Sequence, residues 1–144
     1  MQKQNEKAWK KEKKIMKEKI KTLSDYKKEL ETVFNAYIRE RDKNDPCISC
    51  GSTSDFKRTA GHYFPTTHGS VRFNEDNVHV QCWFNCNKNK HGNLSEYLPR
   101  LIKKIGQKRF DAMAKIKNQE RSELSIPEVI ELKAHYRELI KRMQ

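Results

Sequence analysis

Apolar residues recur at helical spacing before residue 45 and again after residue 93, and the recurrence is lost between them. Tyr26, Leu30, Val33, Phe34, Tyr37 and Ile38 fall at i, i+4, i+7, i+8, i+11 and i+12, one face of an amphipathic helix. Ser24 is placed to cap its start, and Asn44-Asp45-Pro46 to stop it, because proline cannot continue a helix. Farther along, Leu94, Tyr97, Leu98, Leu101, Ile102 and Ile105 predict a second face, with Asn93 and Glu96 as its capping pair. Pro99 inside that stretch predicts a kink or a break, and Gly106 an end. A short helix follows over about 107–118. A last one opens at Ser125-Ile126-Pro127-Glu128, a capping-box spacing, and carries Val129, Leu132, Tyr136, Leu139, Ile140 and Met143. Near the start, Trp9, Met16, Ile20 and Leu23 form a thinner stripe. All these stripes are read as core packing, and no internal repeat is visible.

Charge changes the reading of the first segment. Residues 1–22 hold nine Lys against three Glu, half of the net charge of +12 that the 144-residue chain carries. This segment is expected to be a helix lying along phosphates or a solvated arm. A surplus of that size favours a polyanionic partner, nucleic acid first. No apolar run approaches the ~20 residues that span a bilayer, so no membrane partner is expected. The start, MQKQNEKAWKKEKK, has no apolar signal region, which predicts a cytoplasmic protein. In a reducing cytoplasm four cysteines argue for metal rather than disulfides. With apolar and charged residues each at 35%, a large core is excluded and a small metal-clamped one is expected.

The central segment holds all four cysteines, four of the five histidines and most of the Gly and Pro. Cys47-Ile-Ser-Cys50 and Cys82-Trp-Phe-Asn-Cys86 are two short pairs, each able to place two thiolates on one tetrahedral ion. Together they predict a closed structural Zn²⁺ site that replaces part of the missing core. A redox CxxC is the rival, opposed by the second pair and by the lack of a βαβ pattern.

Between and after the pairs stand Ala60-Gly61-His62-Tyr63, then the run RFNEDNVHVQC from Arg72 to Cys82, then CNKNKHGN from Cys86 to Asn93. This order of His, Asn and a polar residue just after the last Cys resembles the HNH or ββα-metal nucleases. With FNAYIRERDKNDPCISCG upstream, it resembles more closely the phage NinG (Rap) recombination endonuclease family, over roughly residues 34–93 and more loosely the C-terminal helices. The resemblance implies an α+β fold: a small zinc-bound ββα-metal module (46–93) flanked by amphipathic helices, namely a lysine-rich helix or arm (1–22), an amphipathic helix (23–45) and C-terminal helices (94–144).

It also implies an activity, the hydrolysis of phosphodiesters in branched DNA such as Holliday junctions and D-loops. His62 would be the general base, a role suited to a side chain whose ordinary pKa is roughly 6.5. Asn77 would hold the loop and orient the base. Asn87, with His91 as a possible second ligand, would bind a catalytic Mg²⁺ or Mn²⁺. Arg72, Lys88 and Lys90 would clamp phosphates. Two departures stand out: Gly61 occupies the place where many HNH nucleases carry a metal-binding Asp, and the last cysteine gap has three residues rather than two, which a small bulge should absorb. Asp55, Glu75, Asp76 or a histidine could replace the missing carboxylate.

Bland readings remain beside the sharp ones. His79 could be structural, phosphate-facing or a ligand; His68 and His135 are read as bystanders; Asn87 could merely cap a turn; Trp83 and Phe84 could pack over the zinc or stack on a base. Symmetric cleavage of a four-way junction needs two active sites, so a homodimer of a bacterial-host or prophage protein is expected. Family members carry further sequence upstream, so this chain is expected to correspond to part of such a protein. The competing functions are a non-catalytic zinc-stabilised DNA-binding module and a phage recombination adaptor that docks through the lysine-rich helix.

Overall fold

The periodic stretches are helices in the computed structural model, which describes residues 1–119 and 123–144. They are α1 (Gln2–Lys19), α2 (Leu23–Arg41), α3 (Leu94–Ile105), α4 (Gln107–Asn118) and α5 (Ile126–Met143). Two short strands, β1 (Arg58–His62) and β2 (Val78–Cys82), complete a mixed α+β fold that is mostly helical.

The strands pair antiparallel from Arg58↔Cys82 to His62↔Val78. Side chains alternate faces along a strand, so the hairpin separates two apolar clusters. Ala60 and Val78 join Leu30, Phe34, Tyr37 and Ile38 of α2 and Val129 and Tyr136 of α5. Phe34 meets the Tyr136 ring edge-on at 4.9 Å. A second cluster gathers Ile48, Val71, Tyr97, Leu101, Ile105 and Met113, with Tyr63, Phe64, Phe110 and Ile116 against it. This one joins α3 and α4 to the long loop between the strands.

Several local expectations are corrected. Thr22, not Ser24, caps α2: it is extended (φ −85°, ψ 164°), and Thr22 and Asp25 form a complete capping box that leaves Ser24 within the first turn. The helix ends at Arg41, short of Pro46, because Asp42 turns in and is buried. Its carboxylate accepts the Val80 N–H at 3.0 Å and the Arg41 guanidinium at 2.7 Å. Pro99 does not break α3, which runs continuously through it. Asn93 does not cap α3 with its side chain: it sits in the left-handed region (φ 47°) and its amide donates to Cys86 Sγ at 3.5 Å. Trp9, Met16 and Ile20 are exposed rather than packed, and α1 buries no residue. The capping box at Ser125 and Glu128 forms as expected.

Candidate metal centre and hairpin site

The cysteine cluster and His62 lie at opposite ends of the hairpin. At the Arg58–Cys82 end, the Sγ atoms of Cys47, Cys50, Cys82 and Cys86 lie within 4.8 Å of one another. Cys82 Sγ is 3.8 Å from both Cys47 Sγ and Cys50 Sγ. A tetrahedron of Zn–S bonds near 2.3 Å has edges of about 3.8 Å, which the two Cys82 distances match. The four cysteines could therefore hold a metal such as zinc. Burial raises the Cys47 thiol, but the backbone N–H groups of Cys50, Cys82 and Ser49 outweigh it and bring it down to about 7. Two of those N–H groups donate to Cys47 Sγ, from Cys50 at 3.5 Å and Cys82 at 3.3 Å. The extra residue of the second pair is accommodated by a π-helical turn over Trp83–Asn89, whose wider coil returns Cys86 to the cluster.

His62 closes β1 at the other end, about 13 Å along the strand at ~3.3 Å per residue. Its partner across the ladder is Val78, so its side chain lies on the α2 face. His62 Nε2 is 2.8 Å from the Arg72 carbonyl. A carbonyl only accepts, so Nε2 carries the hydrogen and Nδ1 holds the free lone pair. Burial lowers the His62 pKa below its ordinary value, against the opposing pull of that carbonyl and of Glu31. Burial thus favours the neutral imidazole, in which Nδ1 has no hydrogen-bond partner among the described residues.

Gly61 faces the opposite side, and its lack of a side chain is structural. A Cβ there would stand 2.2 Å from Gln81 Oε1 and 2.9 Å from Gln81 Cδ. Gln81 is fully buried, and its Nε2 donates to Ser49 Oγ and to the Gly92 carbonyl, each at 2.6 Å. Its Oε1 accepts from Asn87 Nδ2 at 3.0 Å. Gln81 thus fills the space beside Gly61 and ties it to Asn87 on the α3 face. Asn87 keeps Oδ1 as its remaining acceptor. His91 is exposed at φ 49° in the following turn. Among the described residues, no second group of three or more His, Cys, Asp or Glu side chains converges as the cysteines do.

Asn77 is buried and holds the loop that leaves His62. Its Oδ1 accepts the Phe64 N–H at 2.8 Å, and its Nδ2 donates to the carbonyls of Phe64 at 3.0 Å and Val71 at 3.1 Å. Arg72 pairs with Glu31 at 3.0 Å, while its Nε is buried without a partner among the described residues. Lys88 and Lys90 are exposed at the cysteine end, away from His62. The structure therefore brings His62, Asn77 and Arg72 together at one end and Asn87, Lys88 and Lys90 near the cysteines, with Gln81 between.

His79 is buried beneath α3. Tyr97 Oη donates to the Gly61 carbonyl at 2.8 Å and lies 3.3 Å from His79 Nδ1. Burial, then the positive Lys104 and Arg41, push the His79 pKa down to about 3. Sequence reasoning missed Gln81, Ser49, Asn93 and Tyr97 as parts of this framework. For Gln81 a signal was present: it follows His79 by two in Val78-His79-Val80-Gln81-Cys82 and so must share its inward face.

Comparison with known proteins relates the chain as a whole to one group of phage proteins. The chain is 40% identical to protein ninG of Escherichia phage lambda over 132 residues, which cover 91% of this chain and 63% of that protein. It is 37% identical to protein ninG of Salmonella phage P22 over the same length, 64% of that protein, and 41% identical to that of Enterobacteria phage H19B over 109 residues, 75% of this chain and 54% of that protein. The chain thus spans somewhat under two thirds of these curated relatives. No solved structure matches it. A family model described as Bacteriophage Lambda NinG protein matches residues 1–144. With a histidine held at one end of the hairpin and a four-cysteine cluster at the other, the chain belongs to the NinG family.

Proposed function

We propose that the chain is a metal-dependent DNA endonuclease of HNH, or ββα-metal, type that hydrolyses phosphodiester bonds in branched recombination intermediates such as Holliday junctions and D-loops. The observation that carries this reading is the setting of His62: half-buried, with Nε2 committed to a backbone carbonyl, Nδ1 without a partner among the described residues, and burial favouring the neutral ring. That is how a general base must be held before it takes a proton from water. Asn77 fixes the loop that supplies the Arg72 carbonyl, and so fixes the orientation of the ring. Arg72, with its spare Nε–H, is available to a phosphate. Asn87 and His91, the residues that would hold a Mg²⁺ or Mn²⁺ ion to neutralise charge on the phosphate, stand toward the cysteines on the other face of the hairpin, so the reading is carried by His62, Asn77 and Arg72. The cysteine-bound zinc would be structural. The surplus of basic residues suits a sequence-tolerant enzyme working in the cytoplasm of a bacterial host, and two active sites for a four-way junction call for a homodimer.

One observation favours a second reading. Gln81 fills the space where a metal-binding carboxylate beside His62 would sit, as a non-catalytic DNA-binding module could tolerate. Incubating wild type and His62→Ala with a labelled four-way junction and a linear duplex, in Mg²⁺ or Mn²⁺, separates the two. Junction cutting that falls at least 100-fold in the variant is expected. Absence of cutting by wild type, or equal cutting by both proteins, sinks the nuclease. Salt-dependent binding without cutting then leaves the module, and no binding leaves a protein-docking adaptor. Light scattering of the protein with and without junction checks the dimer.

A further inference from the structure

Three large aromatic side chains stand in solvent at the cysteine end of the hairpin: Phe56 at 71%, Trp83 at 43% and Phe84 at 60% exposure. They come from two segments that the hairpin brings side by side. Beyond the last ladder pair, Arg58↔Cys82, the Trp83 N–H donates to the Lys57 carbonyl at 2.9 Å, so Phe56-Lys57 and Trp83-Phe84 flank one another. None of the three belongs to either apolar cluster. A metal-clamped module short of core material has every reason to bury such rings, and it leaves them outside.

Their surroundings are cationic. Lys57 Nζ lies 5.4 Å from the Phe56 ring centre, and Lys88 Nζ 5.9 Å from that of Phe84. Lys90 is exposed in the same turn, and Asp55 is the one carboxylate in the segments 51–58 and 83–91. Exposed rings interleaved with ammonium groups match a nucleic-acid strand whose bases are unpaired: each base offers a flat face to a ring, and each phosphate a charge to a lysine. A paired duplex offers the charges but keeps its base faces stacked.

We infer that Phe56, Trp83 and Phe84, with Lys57, Lys88 and Lys90, form a platform that stacks unpaired bases, and so gives the protein its preference for branched or opened DNA over duplex. This rests on the proposed action on DNA and names the surface that would select the branch. The cysteine cluster sets the platform's shape, because Trp83 and Phe84 lie between two of its ligands.

The test uses the full zinc-loaded chain. The protein has two tryptophans, so Trp9→Phe leaves Trp83 as the sole tryptophan, which excitation at the red edge of its band selects over the tyrosines. Titration with oligothymidylate should quench Trp83 strongly, and titration with a blunt duplex of equal length only weakly. A Phe56→Ser/Phe84→Ser variant, which retains Trp83 and all the cysteines, should bind oligothymidylate at least roughly tenfold more weakly, within the range measured when base–aromatic stacks are removed. Its duplex affinity should change less than about threefold. Unquenched Trp83 on a bound oligonucleotide, or undiminished affinity in the double variant, overturns the platform while leaving the nuclease reading intact. A variant that loses self-association but keeps its DNA affinity also overturns it, by making the patch a protein interface. A wild-type chain that binds neither DNA form overturns both readings, whereas loss of junction cutting alone, with strand binding and quenching preserved, supports the platform and sinks only the nuclease.

Discussion

Gly61 and Gln81 show how tightly single residues are specified here. The Gln81 carboxamide is fully buried and bonded at both ends, so it cannot swing away from a new Cβ at position 61 without stranding Ser49 Oγ, the Gly92 carbonyl or Asn87. Gly61→Ala should cost about 1–3 kcal/mol. In urea titrations, Gly61→Ala combined with Gln81→Ala should cost less than the two single changes added together. Additive costs would mean that the two residues do not share the space.

His79 makes a second prediction. Its folded-state pKa of about 3 lies well below the roughly 6.5 of an unfolded histidine. As pH falls below about 6.5, the unfolded chain takes up a proton that the folded chain refuses, and stability drops by up to about 1.4 kcal/mol per pH unit until the folded value is reached. Between pH 6.5 and about 5.5 nearly all carboxylates are still ionised in both states, so the loss there belongs to histidines. His79→Gln should flatten the fall of the urea midpoint across that window. An unchanged slope would place the proton uptake elsewhere. None of this was readable from position alone: His79 had three open roles in the sequence, and only the ladder and Tyr97 reduce them to a buried, neutral strut. Thr22 and Asn93 teach the same lesson. Thr22 wins over Ser24, which has equally good cap chemistry, and Asn93 gives its amide to Cys86 Sγ rather than to the helix.

Helices were far more legible than the hairpin. The α4 bounds and the α5 capping box follow from spacing and cap chemistry, because nearby residues decide both. β1 reads Arg-Thr-Ala-Gly-His, with no clean alternation of apolar residues, and its existence depends on β2, more than fifteen positions away. The metal cluster was legible from four cysteines, but the π-helical turn that accommodates the longer gap was anticipated only as a bulge. The two strands bury only Ala60, Val78 and Val80 as apolar side chains, so the cluster should matter greatly to the hairpin. Removing zinc by chelation, or Cys82→Ser, should abolish cooperative unfolding of the segment from Cys47 to Asn93 and lower the midpoint by well over 10 °C, given roughly 10 kcal/mol for structural zinc sites. Circular dichroism and metal analysis of the same samples check this. A metal-free chain with an unchanged transition would show that the cysteines play no such part.

At the scale of the molecule, charge separates from packing. α1 buries nothing, and Lys3, Lys7, Lys10, Lys14 and Lys17 fall at i, i+4, i+7, i+11 and i+14, within an arc of about 80° at 100° per residue. Replacing these five by Gln should leave the unfolding midpoint unchanged and reduce the salt dependence of duplex binding, as log K against log salt, by about 3–4, near 0.9 for each phosphate no longer neutralised. An unaltered slope would free α1 from any role on phosphates. Among the described residues, no helix is long and apolar enough to cross a membrane.

The pairing of α2 with α5 has a consequence for how the protein is made. Lys133 of α5 reaches Glu29 of α2 at 3.3 Å across 104 positions, and Tyr136 closes the cluster around Phe34. On the ribosome, the last cysteine emerges while α5 is still unsynthesised. A metal ion on the four cysteines would therefore close its loop first, with α2 against the hairpin, and the part of α2 that meets Val129 and Tyr136 would stay bare until α5 arrives. Completion of the fold is a late event, gated by translation, and the nascent chain is most open to chaperones and to aggregation in the interval between the two.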